Sequence, residues 1–199
     1  MEEKIKKIIL EIAIEIAKEG KGALFVIGDK VNYEETFPQI IKKGNIFEQG
    51  MKKVLKSVGT LDGAVIIDNQ GNLVSYGAII KNIEKPYYGF GTRHAASIEA
   101  SKNGNICILC SEEEHKVKIF RDGKYLIEID ALAKGIEEKI NNINEFFESA
   151  GVGALATIGV STIVPAIGLA VIPGIIIFGS SHYLLKYLSK LSKKSERKI

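Results

Sequence analysis

The hydrophobic pattern changes period along the chain. Residues 3 to 19 place Ile5, Ile8, Ile9, Ile12, Ile16 and Ala17 at helical spacing among Lys and Glu. This predicts an amphipathic N-terminal helix over residues 1–21, stopped by Gly20 and Gly22. "ALFVIG" (23–28) predicts a buried strand. Residues 33 to 57 carry a helical pattern broken by Pro38 and Gly44, which predicts two short helices or a loop and a helix. "DGAVIID" (62–68), "NQGN" and "LVSYGAII" (73–80) predict strand, tight turn and strand, with Asp68 as turn chemistry. A glycine-containing loop (81–91) precedes "TRHAASIEASKN", which opens a helix closed by Gly104. "ICILCS" predicts another buried strand, and "HKVKIF", "RDGK" and "YLIEI" a hairpin.

Alternation of strands and helices over residues 22–130 implies an α/β domain with a mixed central β-sheet flanked by helices. The pattern changes again beyond residue 130. "DALAKGIEEKINNINEFFES" predicts a helix, and residues 149–185 carry no formally charged side chain. The region 131–199 is therefore expected to be helical, with a hydrophobic hairpin at 149–185 and a basic tail. About 20 apolar residues cross a bilayer as a helix, so membrane contact through 149–185 is expected. A hairpin would keep the 22–130 domain and the basic tail on the cytoplasmic side of the cell membrane. The alternative is a cytoplasmic protein whose hairpin packs between subunits.

Composition narrows the classes. Hydrophobic residues make up 46% and charged residues 26% of the 199 residues, a globular balance. A net charge of +3 argues against nucleic acid as the main partner. Cys107 and Cys110 form a CxxC, but residues three apart on a strand point to opposite faces. Buried free thiols are expected rather than a metal or disulfide site, and these suit a reducing compartment. The charged start "MEEKIKKIIL" carries no expected leader.

Three stretches could carry chemistry. In "GFGTRHAAS", Gly91 lets backbone approach a ligand, and the helix N-terminus offers unpaired amides and a positive dipole end to phosphate. Thr92 adds a hydroxyl and Arg93 a permanent planar cation. His94 could contact ribose, phosphate or metal. In "LDGAVIID", Asp62 beside Gly63 and Ala64 could hold Mg2+ or Mn2+ through oxygen. In "LCSEEEH", Ser111 and Glu113 end a buried strand, where α/β sheets bind ligands. Each stretch also has an ordinary reading: an N-cap loop, a turn aspartate and a solvated charge run.

The ordered set "LDGAVIIDNQGNLVSYGAII", "GTRHAAS" and "CILCSEEEHKVKIFRDGK", preceded by "GALFVIG", resembles the diadenylate cyclase domain. This is the catalytic domain shared by bacterial DNA-integrity scanning proteins and membrane-bound cyclic di-AMP synthases. The resemblance spans roughly residues 22–130. It implies that two ATP molecules condense into cyclic di-AMP and two pyrophosphates, with Mn2+ or Mg2+, between facing sites of a homo-oligomer. It assigns Asp62, Arg93 and His94 to catalysis and Gly63, Ala64, Gly91, Thr92, Arg93 and Ser111 to nucleotide binding. Asp62 and Glu113 would hold the metal. One departure is plain: the family motif is usually Arg-His-Arg, and the third position here is Ala95. A catalytically degenerate module that binds a nucleotide or cyclic dinucleotide without turnover, or a membrane-associated scaffold, are the alternatives.

Overall fold

The computed structural model describes residues 1–36, 38, 39, 44–83 and 91–137, and the backbone of 162–164, 169–172 and 175–178. Helix α1 (Glu2–Lys18) is the amphipathic element the sequence predicts. It ends in a Schellman turn: Gly20 takes φ +66°, its N–H donates to the Ala17 carbonyl (3.0 Å), and the Lys21 N–H donates to the Ile16 carbonyl (3.2 Å).

Strand β1 (Ala23–Ile27) follows, then β2 (Tyr33–Glu35), helix α2 (Met51–Gly59), β3 (Ala64–Ile67) and β4 (Leu73–Ile80). Helix α3 (Thr92–Ala100) leads through a 3-10 turn (Lys102–Gly104) to β5 (Ile106–Ser111), β6 (Lys116–Arg121) and β7 (Lys124–Asp130). These strands lie in the order β2-β4-β3-β1-β5-β6-β7. Only the β1–β3 pair is parallel, so the sheet is mixed, as expected.

Alternation along the strands builds two cores. Phe25, Ile27, Val65, Ile108, Cys110, Val117 and Ile119 pack with Ile5, Ile9, Ile12 and Ile16 of α1 and Leu55 of α2. Leu24, Val26, Ala64, Ile66, Cys107, Leu109 and Phe120 pack on the opposite face with Ala96, Ile98 and Ala100 of α3. Burying an Ile or Leu side chain contributes about 1.5–3 kcal/mol, so α1 is held mainly by its isoleucine stripe. Cys107 and Cys110 belong to different cores, both as free thiols whose pKa burial pushes up. The Cys110 thiol donates to the Ala13 carbonyl (3.3 Å).

Two expectations are revised. Within 33–57, Tyr33–Glu35 is an edge strand antiparallel to Ile80–Ala78, and the one described helix is α2. Unpaired backbone of β4 outweighs a weak local helical spacing there. Within 149–185, expected to be a helical hairpin, the described residues form three short strands. These are β8 (Thr162–Val164), β9 (Leu169–Ile172) and β10 (Ile175–Phe178). β10 pairs antiparallel with β7 and with β9, and β9 with β8. β-branched runs such as "TIV" and "III" favour strands, and an apolar run alone does not distinguish strand from helix. Among the described residues no helix is long and apolar enough to cross a membrane. The loop at 84–90, most of the helix expected after Asp130 and the basic tail lie outside the described residues.

Candidate active site

The site forms because β5 runs antiparallel to β1. Ala23 pairs with Cys110, and Leu24 pairs with both Leu109 and Ala64. The carboxyl end of β5 therefore meets the amino ends of β1 and β3 at one end of these central strands. Ser111 arrives from β5, Asp62 from the entrance of β3, and the first turn of α3 packs against the same strands. The resulting cleft of about 640 Å3 is lined by residues of these three segments and of β6.

Asp62 is held by a β-bulge. The β3–β4 register shifts between Ala64 and Ile66, and both Gly63 (φ +96°) and Gly77 (φ +62°) take left-handed backbone. A Cβ on Gly63 would lie 2.5 Å from the Gly77 carbonyl carbon, so only glycine fits. The bulged backbone is satisfied by side chains: Thr36 Oγ1 donates to the Gly77 carbonyl (2.7 Å), Gln39 Nε2 to the Tyr76 carbonyl (3.2 Å), and the Tyr76 N–H to Gln39 Oε1 (3.0 Å). The Asp62 carboxylate stands fully in solvent, with Oδ1 accepting from the Gly63 N–H (3.1 Å) and 3.8 Å from Arg93 Nη2.

Helix α3 begins at Gly91, whose backbone is extended and whose carbonyl accepts from the N–H groups of His94 (3.0 Å) and Ala95 (3.3 Å). Among the described residues no side chain caps this end, and no acidic residue sits in its first turn. The amides and dipole of this helix start therefore face the cleft without a competing carboxylate of their own. Thr92 is exposed, and Arg93 lies across the amino end of β1. A Cβ on Gly22 would sit 2.1 Å from Arg93 Nη1, so Gly22 makes room for the guanidinium. Gly20, and not Gly22, ends α1.

His94 is half-buried. Its ring meets Phe120 edge-on at 6.2 Å, and its Nε2 lies 3.1 Å from Lys118 Nζ. The ammonium can only donate, so Nε2 accepts and the ring proton sits on Nδ1. Burial, reinforced by the Lys118 charge and opposed by Glu114, holds the imidazole pKa below 6.5. Lys118 also pairs with Glu114. The turn bearing Glu112, Glu113 and Glu114 is anchored at its end: His115 Nδ1 donates to the Ala17 carbonyl at the close of α1 (2.9 Å).

Asp62, Gly91, Thr92, Arg93, His94, Ser111 and Glu113 all line this one cleft. Gly63 and Ala64 do not: Gly63 makes the bulge, and Ala64 is buried on β3 against the α3 core. Lys118 and Gly22 were not legible as site residues. "HKVKIF" shows a polar-apolar alternation, but not that Lys118 points at His94.

The donor set suits a hard divalent cation. The cleft offers carboxylate oxygens from Asp62 and the glutamates beside the Thr92 and Ser111 hydroxyls, and one or two carboxylates plus phosphate oxygens is the usual Mg2+ arrangement. Among the described residues no group of three or more His, Cys, Asp or Glu side chains is placed to hold a metal unaided.

The chain is similar to known proteins. The family model described as DAC, DisA bacterial checkpoint controller nucleotide-binding, matches residues 11–125. A diadenylate cyclase of Methanocaldococcus jannaschii is 34% identical over 144 residues, covering 64% of this chain and 46% of its own length. A diadenylate cyclase of Haloferax volcanii is 29% identical over 138 residues, 61% of this chain and 51% of its own. The chain thus spans about half the length of these curated relatives. Among solved structures, DacA from Staphylococcus aureus is similar at a TM-score of 0.46 with 24% identity, covering 62% of this chain and 85% of that one. A hypothetical membrane spanning protein from Bacillus cereus gives 0.45 with 21% identity, over 60% and 61%.

Proposed function

The chain belongs to the diadenylate cyclase (DAC) domain family, and from that premise we propose that it condenses two ATP molecules into cyclic di-AMP with release of two pyrophosphates. The observation that carries the reading is the meeting of Asp62, the uncapped start of α3 with Arg93, and Ser111 in one cleft.

In each half-reaction the ribose 3′-oxygen of one nucleotide bonds to the α-phosphorus of the other. The bond from that phosphorus to the bridging oxygen breaks, and pyrophosphate leaves. The α3 amides, the Thr92 and Ser111 hydroxyls and the Arg93 guanidinium hold phosphate oxygens and meet the charge that builds on them. Asp62 is the base: its exposed carboxylate accepts the 3′-hydroxyl proton, and the Gly63 N–H fixes its orientation. His94, neutral and with its proton on Nδ1, packs behind the phosphate-binding turn and orients it. Asp62 and Glu113 would hold Mg2+ or Mn2+, which when bound neutralises the triphosphate and polarises the α-phosphoryl group.

One cleft holds one nucleotide in reacting orientation, so the reading requires a second copy of the chain to present the other. Incubation of the purified chain with ATP and Mn2+ or Mg2+, followed by chromatography, tests it. Cyclic di-AMP and pyrophosphate are expected in a 1:2 ratio by the stoichiometry of the reaction. Absence of product with Mg2+, Mn2+ and Co2+ would favour the second reading, a nucleotide-binding module without turnover, for which Ala95 is the motive.

A further inference from the structure

Lys118 is in an uncommon position for a lysine. It lies on an interior strand, its side chain is 8% exposed, and its strand neighbours Val117 and Ile119 belong to the α1 core. Lys118 therefore faces the α3 side with Phe120, and its ammonium reaches the wall of the cleft. A purely structural explanation is weak. Burying an ammonium is costly, and its partner Glu114 is 45% exposed, where an ion pair contributes little.

The charge of the cleft supplies a better reason. Among the described residues, Asp62, Glu112, Glu113 and Glu114 line it against two cations, Arg93 and Lys118. A polyanion entering there depends heavily on both. Position 95, two residues after Arg93, holds a 4% exposed methyl group. Lys118 has three protons to donate, and the structure engages it with two partners, His94 and Glu114.

We propose that Lys118 is a phosphate-binding residue: its ammonium exchanges Glu114 for the phosphate chain of the nucleotide and supplies from β6 the cation that Ala95 does not. The proposal deepens the nucleotide reading above and rests on it. Glu114 is then the placeholder that neutralises the ammonium while the site is empty of ligand.

The test uses the full chain and two probes, a non-cyclisable ATP analogue with a methylene bridge between the α- and β-phosphates, and adenosine. Calorimetric affinities are compared for wild type, Lys118→Met, Lys118→Arg and Glu114→Gln, with melting curves to confirm folding. Lys118→Met should weaken the analogue by at least about tenfold, the scale of one charge-assisted hydrogen bond, and leave adenosine unchanged. Lys118→Arg should stay within about threefold, since the charge is kept. Glu114→Gln should bind the analogue at least as tightly as wild type.

Equal affinity of wild type and a folded Lys118→Met for the analogue would overturn the proposal, as would parallel losses of analogue and adenosine. Weakening by Glu114→Gln would also overturn it, because Lys118 would then act through its ion pair. That variant decides the matter even if Lys118→Met does not fold. A wild type that binds the analogue but makes no cyclic di-AMP ends the cyclase reading alone, and the variant affinities still decide Lys118. A wild type that binds no triphosphate overturns both.

Discussion

Gly22 and Arg93 are within contact at the amino end of β1: any β-carbon at Gly22 would fall 2.1 Å from Arg93 Nη1. The overlap is with the end of a flexible side chain, so Gly22→Ala should leave the fold and its melting temperature nearly unchanged. It should displace the guanidinium and lower cyclic di-AMP formation by at least about tenfold, the scale of one charge-assisted contact. Undiminished turnover in Gly22→Ala would show that Arg93 acts from elsewhere.

Gly63→Ala should behave in the opposite manner. Its obstacle is the Gly77 backbone, which cannot step aside, and the residue has φ +96°. Strain of this kind costs roughly 1–3 kcal/mol, so stability should fall in chemical denaturation and activity should fall with it. A variant as stable as wild type would mean that the bulge is not constrained as described.

Asp62→Asn should retain stability, because the side chain is fully exposed, and lose activity by at least about a hundredfold, the usual scale for a general base. Product formation at the wild-type rate would remove Asp62 from proton transfer.

His94 carries a pH signature. Its folded-state pKa lies below 6.5 because burial and Lys118 disfavour the imidazolium. The neutral ring thus contributes stability that is complete above the unfolded value and is lost as pH falls through the folded one. The loss of melting temperature between about pH 7 and about pH 5 should be smaller in His94→Gln than in wild type. An NMR titration midpoint for His94 at or above 6.5 would contradict the assignment.

If the reaction runs between two copies as proposed, specific activity should fall on dilution. Constant specific activity down to a concentration at which sedimentation shows monomer would rule out the two-copy reaction.

Much of the fold was legible because period and punctuation agree. The isoleucines of α1, the runs of β1 and β5 and the "RDGK" turn all have strong local signals. Failures came where a distant partner decides. Tyr33–Glu35 pairs with β4, and Ile175–Ile177 pair with Ile129–Ile127, contacts that no local window contains. The site divides in the same way. Asp62, Arg93 and Ser111 stand out within short motifs, whereas Gly22 and Lys118 acquire their roles only when β1 and β6 are laid beside β5. Ala64 shows the converse, a motif residue that belongs to the core.

The antiparallel placement of β5 has a kinetic side. Gly22, Asp62, Arg93 and Lys118 come from four separate stretches of chain, brought together by pairings that reach from Ala23 to Cys110. Such long-range closures are slow, and they must be in place before the cleft exists. No partly folded chain can therefore hold a nucleotide in the manner described. A nucleotide bound as proposed would engage the native sheet alone and stabilise it by mass action, and so would act as a late folding ligand that holds β1 to β5.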